Sequence, residues 1–270
     1  MPQTLLDTPY QLSAEQIAFY QQNNYIKLKD ILDAETLAYF QEHISQVVLD
    51  LQKTLPDLNA RDTYGKAFLQ AFNLWRQNPA VVSLVFSKRL AQIATELMRC
   101  TGVRLYHDQA LFKEAGGGIT PWHADQYYWP LSNSNTVTAW IPLTAIPLEM
   151  GPLEFSAGSQ AIVEGRELSI SDESEKEISK NLKINNFKHI TEPYDIGEVS
   201  FHSGWIFHRA GANKSEQIRK AMTIIYMDEH MKAIAPKNEN QANDLATWCP
   251  GVEPGAIINS ELNPVLWSNN

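Results

Sequence analysis

From residue 103 onward the chain reads as short strand-like runs cut by Gly, Pro and Asn turns, at 103–113, 136–143, 151–156, 198–208 and 219–228. Many short runs with tight turns predict a sandwich or barrel. They exclude the regular strand–helix alternation of a parallel α/β sheet. The expected architecture is therefore an all-β core, and everything before residue 103 must decorate it.

That earlier part reads as helical. Ser13-Ala14-Glu15-Gln16 has the form of a capping box, in which a hydroxyl and a side-chain amide satisfy each other's backbone N–H groups. Asn23 and Asn24 end the helix it opens, and Tyr25 to Leu28 alternates like a strand. Asp33 can cap a second helix, with Leu37, Phe40, Ile44, Val47 and Leu51 as one apolar stripe. Asn78-Pro79 marks a further start, and Leu90, Ile93, Leu97 and Met98 line a helix that stops before Gly102. The charged stretch 166–189 interrupts the strands as a helix and loop laid over one end of the sheet, either as a solvated insertion or as a lid. The expected organisation is one domain over 1–270. Helical support spans 1–102, the β core 103–232 with the 166–189 insertion, and a wrapping tail 233–270.

At 270 residues with 44% hydrophobic and 20% charged residues, such a domain can bury a sizeable core. The net charge of −9 disfavours phosphate backbones and anionic lipid, so neither nucleic acid nor a membrane surface is an expected partner. Cys100 and Cys249 form no CxxC pair, which argues against a disulfide framework or a zinc–thiolate site. Met1 to Tyr10 lacks a basic start and an apolar stretch, and no long apolar run occurs elsewhere. A cytoplasmic protein with a small-molecule substrate is expected.

The chemistry concentrates in Pro121-Trp122-His123-Ala124-Asp125. On extended backbone, residues i and i+2 face one way, so His123 and Asp125 can reach one ion together. His208, at the end of the 198–208 run, is the best third ligand. Two imidazoles and one carboxylate on one face of an ion leave positions open, as in non-haem Fe(II) oxygenases. Alone, a His-x-Asp pair is weak evidence. Arg219, eleven residues after His208, strengthens it. An arginine on a strand paired with the ligand's strand could hold the far carboxylate of a 2-oxo dicarboxylate through two parallel hydrogen bonds.

Strict alternation puts His107, Gln109, Leu111 and Lys113 on one face, so His107 and Lys113 can face the same cavity as Gln109. Gln126, Tyr127, Tyr128 and Trp129 follow the ligand pair and could line a substrate mouth or simply pack the core. His202 shares the parity of His208, though a satisfied core histidine is the plainer reading. His43, His189 and His230 have no partner pattern.

These segments together resemble the phytanoyl-CoA dioxygenase family of Fe(II)/2-oxoglutarate oxygenases over nearly the whole length. The likeness rests on residues 12–20, 122–125, 151–160 and 207–215 with Arg219 downstream, and on the tail at 250–255 and 263–267. The resemblance implies a double-stranded β-helix, a cupin-like jelly roll, wrapped by amino-terminal helices. It implies Fe(II), 2-oxoglutarate and dioxygen, with His123, Asp125 and His208 as metal ligands and catalytic residues. Arg219, Gln109 and Trp140 would contact 2-oxoglutarate. The family often carries a small hydroxyl residue two positions after the distal histidine; here Arg209 and Ala210 follow, so one co-substrate hydrogen bond is missing or replaced. Hydroxylation of a small metabolite is the expected outcome. Desaturation, cyclisation, epimerisation, or a non-catalytic cupin-like sensor remain as alternatives.

Overall fold

A computed structural model describes residues 3–269. The amino-terminal part runs α1 (Gln3–Asp7), α2 (Ala14–Asn23), β1 (Tyr25–Leu28), α3 (Ala34–Gln52), α4 (Thr63–Ala67), β2 (Leu69–Phe72), α5 (Leu74–Gln77), α6 (Val82–Val85) and α7 (Lys88–Met98). Then come β3 (Gly102–Lys113), β4 (Thr120–His123), β5 (Thr136–Pro142), β6 (Leu153–Ala157), α8 (Asp172–Ile184) and β7 (Lys188–Thr191). The chain closes with β8 (Val199–Ser203), β9 (His208–Ala210), β10 (Arg219–Asp228), α9 (Glu239–Trp248) and β11 (Val265–Ser268).

The helix starts follow their caps. Ser13 forms the expected capping box with Gln16, and the Asp33 carboxylate accepts from Thr36 N at 2.7 Å. Each such cap is worth about 1 kcal/mol. The apolar stripe of α3 passes through Leu37, Phe40, Ile44 and Val48. Leu51, expected on that stripe, is exposed, because the buried line drifts onto Val48.

The core is mostly β, in two antiparallel sheets with helices outside. One sheet has seven strands in the order β1-β8-β5-β10-β3-β11, with β2 also paired to β3; the other has four, in the order β4-β9-β6-β7. Alternation along β10 divides its side chains. Met222, Ile224 and Tyr226 pack toward the helices with Phe40, Ile44, Leu90 and Ile93. Ala221 packs the other way, in a cluster with Trp140, Leu153 and Phe155 that joins the inner faces of the two sheets. The outer face of the small sheet is closed by α8, whose Ile178 and Leu182 meet Trp122, Ala124 and Phe207. Among the described residues, no helix is long and apolar enough to cross a membrane.

Four expectations need correction. The 198–208 run is not one strand. β8 belongs to the large sheet and β9 to the small one, and the chain changes sheets through Gly204, where a Cβ would collide with Gln126 Oε1 and the Trp129 ring. For the same reason Arg219 is not on the strand paired with His208. β10 pairs with β3 and β5, and residues 211–218 cross between the sheets. The 166–189 stretch contains the expected helix, but it is not a solvated insertion. It holds α8, opened by a Ser171 capping box, and leads into β7, which pairs with β6. The amino-terminal hundred residues also contain β2, a strand that extends the large sheet.

Candidate metal centre

His123 ends β4, Ala124 keeps extended backbone (φ −122°, ψ 126°), and Asp125 opens a tight 3-10 turn through Tyr128. The extended geometry at 123–124 puts His123 and Asp125 on one side, as the alternation predicts. His208 opens β9, which pairs with β4 so that His123 stands opposite His208. One ligand atom from each of His123, Asp125 and His208 lies within 4.8 Å of the others.

The protonation pattern suits a metal. Nδ1 of His123 faces Pro121 O at 2.7 Å, and Nδ1 of His208 faces Ile206 O at 3.1 Å. A carbonyl only accepts, so each Nδ1 carries a proton, which leaves Nε2 as the ring atom that would bind a metal. Both Nε2 atoms stand 3.5 Å from Asp125 Oδ1. Burial and the neighbouring His123 hold His208 well below the ordinary histidine range. Burial opposes the charge on Asp125. The surrounding histidines, His208 foremost, outweigh it and hold the carboxyl well below the usual carboxylate range. Two imidazole Nε2 atoms and a carboxylate are a donor set for a divalent transition metal with open positions.

The second carboxylate oxygen is also braced. Thr138 Oγ1, on β5, donates to Asp125 Oδ2 at 3.3 Å, and His202 Nε2 lies 3.4 Å from the same oxygen. His202 is 2% exposed, and neither of its ring nitrogens has a hydrogen-bond partner. It was expected to be a satisfied core histidine; it is instead an unsatisfied one against Asp125, because β8 ends in the cavity wall. Thr138 was not anticipated from sequence. Its only signal is its place two residues before Trp140 on the same strand face.

A cavity of about 470 Å³ opens beside this cluster. Arg219 lines it from the large sheet. Its Nη1 donates to Gly151 O at 2.6 Å, its Nε has no partner, and its guanidinium lies 5.6 Å from the Trp140 ring centroid. Burial lowers it only to about 10, so it remains a cation with an open edge. Gly151 makes this possible. Its φ is +66°, and a Cβ there would run into the Gly211 carbonyl. Thr223, four residues further along β10 on the same face, offers an unpartnered hydroxyl, and Gln109 accepts from Gln70 at 2.5 Å. Gln109, Trp140, Thr223 and Arg219 all line the cavity, as a carboxylate-bearing co-substrate would need.

The expected substrate residues divide. His107, Tyr128 and Trp129 line the cavity. Lys113 does not. It lies on the predicted face, but its amine donates to Gly118 O (2.5 Å), Gly211 O (2.8 Å) and Thr120 Oγ1 (3.3 Å), so it pins loops instead of meeting a ligand. Gln126 and Tyr127 line a separate recess on the other side of the 3-10 turn. Gln126 is held by Thr136 Oγ1, and Tyr127 by Asn240. The tail, expected only to wrap the surface, sends Asn240, Asp244 and Trp248 of α9 into the cavity, and Phe72 of β2 joins them. Of the 166–189 stretch, Ser169 and Ile170 reach the lining. Its helix acts from outside: Glu175 accepts from Trp122 N at 3.0 Å and from Arg209, steadying the strand that carries His123.

Residues 20–221 match the family profile described as phytanoyl-CoA dioxygenase (PhyH). A probable alpha-ketoglutarate-dependent hypophosphite dioxygenase of Stutzerimonas stutzeri is 24% identical over 227 residues, 79% of this chain and 78% of its own length. Among solved structures, the non-heme alpha ketoglutarate dependent carbocyclase SnoK from nogalamycin biosynthesis aligns with a TM-score of 0.75 at 24% identity, over 96% of this chain and 99% of its own. EctD from S. alaskensis, solved with 2-oxoglutarate and 5-hydroxyectoine, aligns with a TM-score of 0.67 at 20% identity, over 86% and 83%. At such identities the likeness to the solved structures is one of fold.

Proposed function

The chain belongs to the phytanoyl-CoA dioxygenase family, and from that premise we propose that it is an Fe(II)- and 2-oxoglutarate-dependent dioxygenase that hydroxylates a small molecule. His123, Asp125 and His208 would hold the iron. Arg219 would hold the distal carboxylate of 2-oxoglutarate, with Gln109, Trp140 and Thr223 beside it. His107, Tyr128 and Trp129 would meet the substrate. In this reading the two sheets form one double-stranded β-helix domain over the whole chain, with helices as its support.

One observation carries the proposal. Two Nε2 atoms converge on a braced carboxylate in a cavity whose opposite wall presents a buried arginine with an unfilled edge. A metal-binding sensor would gain nothing from that second feature, since a buried cation without an anionic partner is costly. An anionic co-substrate relieves it.

Bound together, iron(II) and 2-oxoglutarate supply the oxidation, consuming dioxygen and releasing succinate and carbon dioxide as one oxygen atom enters the substrate. The protein's own contribution is positional. Pro121 O and Ile206 O fix the tautomers, Thr138 fixes the carboxylate, and the aromatic walls exclude water. Cyclisation is the second reading, favoured by the fold likeness to a carbocyclase. The choice depends on which substrate atom the walls present. Succinate release with Fe(II) and 2-oxoglutarate, with product mass gain of one oxygen atom, is the expected result. A product two hydrogens lighter would favour the second reading, and absence of both iron and 2-oxoglutarate binding would refute the proposal.

A further inference from the structure

Six residues along β10 from Arg219, about 20 Å of strand, the cavity changes character. Ile225 faces His107 across the β10–β3 pair. The His107 ring lies 4.6 Å from Trp248, which in turn lies 4.9 Å from Phe72. Asp244, on the same face of α9 as Trp248, accepts from Tyr106 OH at 3.2 Å. Phe72, Trp129, Asp244 and Trp248 all line this part of the cavity.

The charges are one-sided. Among the described residues lining the cavity, Arg219 is the only arginine or lysine, and the proposed co-substrate occupies it. The carboxylates are two, Asp125 and Asp244. His107 is 5% exposed, and its Nδ1 has no hydrogen-bond partner. Burial pushes it down to about 4, so it stays neutral and does not repel a positive ligand. A phosphate, a carboxylate or a coenzyme A thioester would find no counter-charge here. A cation would find a carboxylate and a wall of aromatic rings, which can attract it through their quadrupoles.

We propose that this end of the cavity binds the reacting substrate as a small organic cation, a protonated amine on a flat apolar or aromatic skeleton, with its ammonium group held by Asp244 and its skeleton packed against Trp248 and Phe72. The inference rests on the dioxygenase reading for which site reacts, but the binding itself does not require it. Burial pushes the free Asp244 carboxyl up to about 7, partly offset by its hydrogen bonds from Tyr106 and Trp248. A bound ammonium would draw it back to the ionised form.

Three probes of one shape and different charge test this: 2-phenylethylamine, 2-phenylethanol and phenylacetate. Calorimetric titration would be run on the metal-free protein and on protein loaded with Mn(II) and 2-oxoglutarate. The amine should bind roughly ten times more tightly than the alcohol, and the acid should not saturate. Asp244→Asn, which can still accept from Tyr106, should erase the preference for the amine. Trp248→Leu should weaken amine and alcohol alike. Equal binding of amine and acid, no saturable amine binding, or an undiminished amine preference in Asp244→Asn overturns the inference. Binding of Mn(II) and 2-oxoglutarate, read in the same instrument before any probe is added, reports separately on the dioxygenase reading.

Discussion

The small sheet and the large sheet divide the site between them. The three converging ligand residues come from β4 and β9 of the small sheet and from the turn that follows β4. The groups suited to a co-substrate, Gln109, Trp140, Arg219 and Thr223, stand on β3, β5 and β10 of the large sheet. The first set is local: paired strands, with each histidine proton held by a carbonyl two residues earlier. The second set is distributed, and parts of it are left unpaired inside the protein. A cluster that needs tight mutual geometry is built from neighbours, while a ligand wall is built from whatever the sheet presents.

The sharpest way to break that division is at the small sheet. His208→Ala should abolish iron retention and succinate release, since two protein ligands leave a site too weak to fill. Metal analysis of the purified variant checks it; stoichiometric iron with full turnover would break the assignment. Next in size is the brace. Ile178→Ala removes a fully buried side chain between α8 and β4 and should cost about 2–4 kcal/mol in denaturant unfolding. If α8 is only a covering, iron affinity will be unchanged in the folded variant; if it steadies β4, affinity falls as well.

On the large sheet the expected effect is narrower. Arg219→Lys keeps the charge and loses the fork, and should weaken 2-oxoglutarate binding by roughly ten- to a hundredfold, about 1.5–3 kcal/mol. Iron binding should hold. An unchanged co-substrate titration would show that the two sheets do not share the work as described.

The smallest effect concerns pH. Asp108, on β3, accepts from Leu74 N at 2.8 Å, and its other oxygen is buried without a partner. Burial raises its carboxyl from 3.8 to about 7. The folded state therefore holds a proton that the unfolded chain releases. That stability is present below about 4 and is lost as pH rises through about 7. Asp108→Asn should flatten the decline and gain a few kcal/mol at most at pH 8. Unfolding midpoints across pH 4–8 would show it, and parallel curves for both proteins would remove Asp108 as the cause.

How much of this could be read beforehand follows the same local-versus-distributed line. His123 and Asp125 were legible because two residues of extended chain suffice to align them, and the Ser13 and Asp33 caps because three do. The sheet change at Gly204 was not. Residues 198–208 carry a continuous strand pattern, and only the tertiary collision at Gly204 explains the break. Lys113 had the right parity for a ligand contact, but parity fixes a face and not where a long side chain ends. β2 was hidden by its four-residue length between helices, and the role of α9 by its polar sequence, which buries little of itself.

The placement of α9 has a bearing on how such a protein can be altered. The part of the chain matched by its family ends at residue 221, whereas Asn240, Asp244 and Trp248 lie beyond it. Ten consecutive residues, on one exposed-sided helix, carry three cavity contacts and none of the proposed holders of metal or co-substrate. Exchanging that helix is a graft with two ends and one face. Libraries confined to 239–248 should shift which molecules are accepted while the oxidising half of the enzyme is inherited intact.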